Sequence, residues 1–258
     1  MMNNRKQSLL TILFVGATIT TPLVAQDLQS ALKDIEADRY TKAEQTLTQL
    51  ASSSPNAENQ FYLGYYYLRS GQTDKAKAAF EKGAAADAKN QLNNIGLAGV
   101  ALSKGDGPAA KTLIDNAVAA TKSKDQNVLI RGGEMYTLFE DPKKNNPAEA
   151  IRLLTIADEK DKKNENSEIE MLLGDAYFLK NDGGNAITKY ENAMTITPNL
   201  AEANYKIGRL YLRGKNYTKA QEYFKLAIQN DPEFAPTYLA YADALANSRA
   251  YKSAAQNY

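Results

Sequence analysis

From residue 26 onward, apolar residues recur with the period of an α-helix. Leu63 and Tyr67 lie one turn apart, as do Ala76 and Phe80. Short polar stretches interrupt these runs. Ser70, Gly71 and Gln72 form one, and Asn181, Asp182 and Gly183 form another; each reads as a turn that ends the first helix of a pair. The pattern predicts an all-α chain of short antiparallel helix pairs. The start of the chain is written differently. Arg5 and Lys6 precede a mostly apolar stretch at 8–19, which Pro22 breaks, and Ala25 stands before Gln26 and Asp27. That layout predicts a secretory leader over 1–25. Its apolar run of about 12 residues is short for a hydrocarbon core of ~30 Å, and no second run of membrane length follows.

The helical pattern repeats. The strings at 63–83, 173–193 and 207–227 share a small residue, an aromatic three later, a polar turn, an alanine, an aromatic four later and another small residue. The first small residue recurs as Ala31, Gly64, Ala98, Gly132, Gly174, Gly208 and Ala242. The alanine of the second helix recurs as Ala43, Ala76, Ala110, Ala150, Ala186, Ala220 and Ala254, at spacings of 33, 34, 40, 36, 34 and 34. A fixed period of this length marks a stack of supersecondary units, each burying its faces against its neighbours. Small residues let the helices of a pair approach, and the aromatic of the second helix fills the space between pairs. Pro55, Pro198 and Pro232 lie between units, where proline suits the first turn of the next helix.

The 34-residue period resembles the tetratricopeptide repeat (TPR). The likeness runs from Val24 to Tyr258 and is fullest at 201–234, through Ile207, Gly208, Tyr211, Tyr217, Ala220, Phe224, Ala227 and Pro232. Unit 167–200 follows through Leu173, Gly174, Tyr177, Ala186, Tyr190, Ala193 and Pro198. Units 91–124 and 125–166 depart from the pattern, with Ala101, Lys122 and Arg131 at positions the family gives to Tyr, Pro and Leu. The resemblance implies a right-handed superhelix of about seven antiparallel pairs, with units at 24–56, 57–90, 91–124, 125–166, 167–200, 201–234 and an incomplete 235–258.

Two irregularities stand out. Unit 125–166 is 42 residues long, with extra chain at 140–146, inside the pair, and near 161–166. Asn146 followed by Pro147 reads as an N-cap and first helical residue. The insertion is either a tolerated surface loop or a ligand-contacting one. Secondly, the last unit stops at Tyr258, partway along its second helix. A repeat array needs a polar cap, so the expectation is an N-terminal fragment of a longer protein, or an end that docks on a partner or on another copy.

Composition narrows the chemistry. Cys, His and Trp are absent, which removes thiolate and Ser-His-Asp nucleophiles, disulfides, a lipidated cysteine and the usual zinc and copper ligands. The 31 Lys and Arg against 30 Asp and Glu lack the basic excess of a nucleic-acid binder. No phosphate-binding loop or EF-hand spacing occurs, and the carboxylates Asp158, Glu159 and Asp161 read as a solvated charge run. The expectation is a chain without catalytic residues, metal or cofactor.

Binding has more support. By resemblance, positions 2, 5, 6, 9, 12 and 13 of each unit line the concave groove. In unit 57–90 these are Glu58, Phe61, Tyr62, Tyr65, Leu68 and Arg69, with Tyr66 beside them. Five aromatics in seven residues offer either a ledge for a peptide or packing against the preceding pair. In unit 201–234 the positions are Glu202, Tyr205, Lys206, Arg209, Leu212 and Arg213. Lys206, Arg209 and Arg213 share one helical face, either a solvated basic stripe or a site for an acidic segment or terminal carboxylate. The family's chaperone-tail clamp pattern is not met in any three successive units. The resulting reading is an exported scaffold or adaptor in the periplasm of a Gram-negative bacterium, binding a protein or peptide through Phe61, Tyr62, Tyr65, Tyr66, Arg69, Tyr205, Lys206, Arg209 and Arg213. Two other readings are a carbohydrate or small-ligand binder that uses the tyrosines, and a docking arm of a longer enzyme or envelope protein.

Overall fold

Several helices begin where a polar side chain satisfies open backbone amides. Asn56, Asp106, Asp125, Asn146, Asp182 and Asn216 each accept from amides in the first turn that follows. The computed structural model describes residues 22–248, and among these every regular element is helical. The order is α1 (Pro22–Glu36), α2 (Tyr40–Ser53), α3 (Ala57–Arg69), α4 (Thr73–Ala86), α5 (Leu92–Ser103), α6 (Gly107–Ala120), α7 (Gln126–Thr137), α8 (Pro147–Lys160), α9 (Ser167–Leu179), α10 (Gly183–Ile196), α11 (Ala201–Arg213), α12 (Tyr217–Asn230) and α13 (Pro236–Asn247). These form six antiparallel pairs and the first helix of a seventh. The second helix expected for the seventh unit, with Ala254 and Tyr258, falls outside the described residues. So does 1–21 of the expected leader; Pro22–Ala25 fall within α1.

The turn inside every complete pair but the fourth has one form. A residue with positive φ (Asp38, Gly71, Gly105, Asn181 or Lys215) ends the first helix. The amide of the next residue then reaches back five positions, as from Gln72 to the Tyr67 carbonyl at 2.7 Å and from Asn216 to Tyr211 at 2.8 Å. The fourth pair departs. The Asn146 amide donates to the Tyr136 carbonyl at 3.0 Å, ten residues back, so the insertion is extruded as a loop while the pair stays closed. Asn146 caps α8 and Pro147 starts it, as its sequence indicates. The interunit prolines differ from expectation. Pro55, Pro198 and Pro232 stand before the helices, and Pro108, Pro147 and Pro236 occupy first turns.

Packing within pairs rests on complementary volumes. A Cβ placed at Gly64, Gly174 or Gly208 would lie 2.5, 2.4 or 2.5 Å from a ring carbon of Phe80, Tyr190 or Phe224. These rings are buried, and each needs the bare backbone of the facing helix. Where the small residue is Ala31 or Ala98, the second helix carries the narrower Leu47 or Ile114 at the same offset. One apolar cluster runs from α1 to α9, and smaller ones surround Tyr190 and Phe224.

The curve of the array brings its start near its end. Ala37, in the turn after α1, packs with Ala201 and Phe234, with Tyr205 alongside. Arg39 donates to the buried Asp34 at 2.7 Å and to the Glu233 backbone carbonyl at 3.4 Å. The first unit thus touches the junction of the sixth and seventh.

Candidate functional site

The aromatic run of α3 serves packing. Phe61, Tyr62, Tyr65 and Tyr66 are all buried. Phe61 lies 5.2 Å from the Tyr62 ring and 5.8 Å from Phe80. The Tyr66 hydroxyl donates to Glu44 of α2 at 3.1 Å, which is packing against the preceding pair. No exposed tyrosine ledge exists at these positions, and the glycan reading loses the surface that suggested it. The Tyr65 hydroxyl donates to Glu134 of α7 at 2.6 Å, passing over α5. Gly99 of α5 separates the same helices; a Cβ there would meet Leu68 of α3 and Met135 of α7 at 2.6 and 2.5 Å, so those two side chains close over α5 at a bare backbone.

Charges on the inner surface largely answer one another. Arg69 donates to the Tyr65 hydroxyl at 3.1 Å and pairs with Glu36 at 3.4 Å. Arg131, absent from the expected site, bonds Glu134 at 2.5 Å and also Glu168. Lys206 is held by Asp175 at 2.6 Å and Glu202 at 2.8 Å. Burial opposes its charge, but the two carboxylates prevail and raise its pKa. Burial raises the Glu202 carboxyl, with Lys206 opposing. Lys206 therefore does not belong to an open basic stripe, although its helical spacing puts it on the same face.

Arg209 and Arg213 are placed differently. They line a cavity of about 500 Å³ with Tyr205 and Leu212 of α11, Phe178 of α9, Glu140 of the inserted loop, and Pro236, Leu239, Ala240 and Asp243 of α13. Leu239 is 58% exposed, a large apolar side chain open to solvent at the cavity edge. The Arg213 guanidinium stands 4.0 Å from the Phe178 ring centre and donates to the Phe178 carbonyl at 3.2 Å. Among the described residues no carboxylate pairs with it within 4 Å. Arg209 sits 5.1 Å from the same ring and 5.8 Å from Tyr205 and bonds Glu140 at 2.6 Å. Burial lowers its pKa, and the Glu140 bond with neighbouring charges more than offsets this. Two guanidiniums share the lining with two carboxylates, Glu140 and Asp243, and Glu140 already pairs with Arg209; with the aromatic walls and the apolar edge, Arg213 can take a ligand that carries an apolar side chain and a carboxylate.

Most of the lining was within reach of the sequence. Phe178 stands at position 12 of its unit, and Pro236, Leu239, Ala240 and Asp243 at positions 2, 5, 6 and 9 of theirs. The groove rule applied to units 167–200 and 235–258 identifies them all. Glu140 lies in the insertion, which has no repeat position. Among the described residues no group of acidic side chains could hold a metal ion, and no helix is long and apolar enough to cross a membrane.

Comparison with known proteins agrees with the architecture. Residues 28–91 and 201–234 match the family described as tetratricopeptide repeat, and 174–215 match the one described as TPR repeat. No curated protein matches the sequence. Similar solved structures include pilF of Pseudomonas aeruginosa, with TM-score 0.53 and 21% identity over 78% of this chain and 88% of that one. PilW has TM-score 0.59 and 16% identity over 78% and 90%. A tetratricopeptide repeat protein from Parabacteroides merdae has TM-score 0.57 and 13% identity over 91% and 90%. At these identities the likeness is one of fold, and it coincides with the repeated turn and the paired small and aromatic residues described above: the chain is an all-α solenoid of tetratricopeptide repeats, which the family models match at 28–91 and 174–234.

Proposed function

We propose that this protein is an interaction adaptor of the cell envelope that holds an acidic, partly apolar segment of a partner protein in the cavity between α9, α11 and α13. The observation that carries the reading is Arg213. It is exposed, held against Phe178, and without a carboxylate among the described residues, whereas other inner-surface cations are already paired. A cation held in place beside open apolar surface at Leu239 gives up little side-chain freedom on meeting a carboxylate. Support for the envelope comes from the leader-like pattern at 1–25 and from the described role of the structurally similar PilW as a widely conserved type IV pilus biogenesis factor. Fold likeness of this kind does not transfer a pathway, and the partner is defined here by its chemistry.

Chemical cross-linking and pull-down from envelope extract tests the reading, with wild type beside Arg213→Glu. Circular dichroism checks that helicity is kept. A protein captured by wild type and lost with the reversed charge is the expected result. Equal capture by both would remove Arg213 from the site.

A further inference from the structure

The 140–146 insertion is the one place where the fourth pair abandons the turn used by the others, and it delivers a carboxylate to the cavity. The loop is held in shape by its own bonds. Asn145 donates to the Phe139 carbonyl at 2.9 Å, the Lys143 amide to the Asp141 side chain at 3.0 Å, and the Asn146 amide closes the loop on Tyr136. Glu140 projects from it and meets Arg209, 69 residues away in sequence, at 2.6 Å. Its side chain is 63% exposed, so it bridges to the cavity from outside without belonging to the core. The surrounding pair is closed without it, by the Asn146 amide on the Tyr136 carbonyl.

We propose that Glu140 is an internal competitor: its carboxylate occupies on Arg209 the place that the partner's carboxylate takes. The inference rests on the acid-binding reading of the cavity and deepens it. Arg209 and Arg213 flank one ring, Phe178, at 5.1 and 4.0 Å. A segment presenting two carboxylates around an apolar side chain engages both arginines only by displacing Glu140, whereas one with a single carboxylate engages Arg213 and leaves the loop in place. The insertion thereby sets a threshold that favours clustered acidic residues and makes the strength of binding depend on the loop. The exchange replaces one exposed ion pair by another, so its size is that of an exposed pair, about fivefold in affinity at most.

The test uses the full chain and two fluorescein-labelled hexapeptides, one alternating glutamate and leucine with a free C-terminus, the other alternating glutamine and leucine with an amidated end. Fluorescence anisotropy compares wild type, Glu140→Gln, Arg209→Gln, the Glu140→Gln/Arg209→Gln double variant and Arg213→Glu. Glu140→Gln is expected to bind the acidic peptide about threefold to fivefold tighter than wild type and the neutral peptide no better. The gain should vanish when Arg209→Gln is also present, and Arg213→Glu should lose binding. Equal acidic-peptide affinity in wild type and Glu140→Gln, with loss in Arg213→Glu, overturns the competitor and leaves the site standing. A gain shared by the neutral peptide also overturns it, since charge would not be the cause. No binding of the acidic peptide to either wild type or Glu140→Gln overturns the acid-binding site and the competitor together.

Discussion

Replacing Gly208 by Ala tests the packing rule on which the array depends. The added Cβ would lie 2.5 Å from Cε1 and 2.7 Å from Cδ1 of Phe224, a ring with no exposed surface. Overpacking of this kind costs about 1–3 kcal/mol. Replacing a mid-helix glycine by alanine returns about 1 kcal/mol of propensity. The expected net loss is about 0–2 kcal/mol, and about 1–3 kcal/mol relative to a glycine-to-alanine change without the clash. Gly184, near the start of α10, is the control, because a Cβ there finds its nearest neighbour at 4.0 Å; Gly184→Ala is expected to be neutral or slightly stabilising. Phe224→Leu alone should lose about 1–2 kcal/mol of buried area. Combined with Gly208→Ala it recreates the small and aliphatic combination of Ala31 with Leu47 and Ala98 with Ile114, and the pair should recover about 1 kcal/mol relative to the sum of the singles. Urea unfolding followed by far-ultraviolet circular dichroism gives all four values. A Gly208→Ala protein as stable as Gly184→Ala, or strict additivity with Phe224→Leu, would refute the reasoning.

Other consequences are equally direct. The Tyr136 hydroxyl is buried without a hydrogen-bond partner among the described residues, so Tyr136→Phe should leave thermal stability unchanged or raise it by up to about 1 kcal/mol. Tyr65→Phe strips a bond from Glu134 and another from Arg69 and should cost about 1–3 kcal/mol in the same melt. At alkaline pH, burial first and the Asp38 bond second push Tyr40 up to about 12 from 10.0, and burial raises Tyr62, Tyr65 and Tyr190 as well. A raised tyrosine contributes stability that is complete below pH 10 and is lost as pH climbs through the folded value, so unfolding should begin above pH 10, with tyrosinate absorbance and helicity changing together. Absorbance rising fully before helicity falls would contradict the burial. Phe234→Ala removes the ring that joins Ala37 to Ala201; small-angle scattering should then show a larger maximum dimension with helicity kept, and an unchanged profile would mean that this contact does not hold the rim closed.

The architecture was legible because it is written several times. Small residues and alanines stand 12 apart in six of the seven units, and 18 apart in the fourth, and report on packing that the described pairs share; the capping of α8 by Asn146 was readable from two adjacent residues. The groove was only partly legible, for a physical reason. Helical spacing puts Lys206, Arg209 and Arg213 on one face, but whether a charge is available depends on the neighbouring unit. Asp175 neutralises Lys206 from α9, while Arg213 meets an aromatic ring and a carbonyl there. The aromatics of α3 looked too numerous to bury on one stripe. They are buried because α3 is covered on three sides, by α2, α4 and α5, and because Gly96 and Gly99 let neighbouring side chains close over α5. Contacts between Arg39 and Glu233, or Glu140 and Arg209, depend on the curvature of the whole array, to which no single repeat bears witness.

The central claim is that the cavity between α9, α11 and α13 receives the partner. Leu239 and Leu226 are the large apolar residues exposed on the described surface, at 58% and 44%; Leu239 lines the cavity, and Leu226 lies on α12 outside it. A photoreactive phenylalanine analogue introduced at one position or the other, in otherwise identical chains in living cells, measures occupancy directly. A single adduct from position 239, absent from 226 and lost with Arg213→Glu, is the predicted result. Adducts from 226 with none from 239 would place the partner outside the groove and contradict the account.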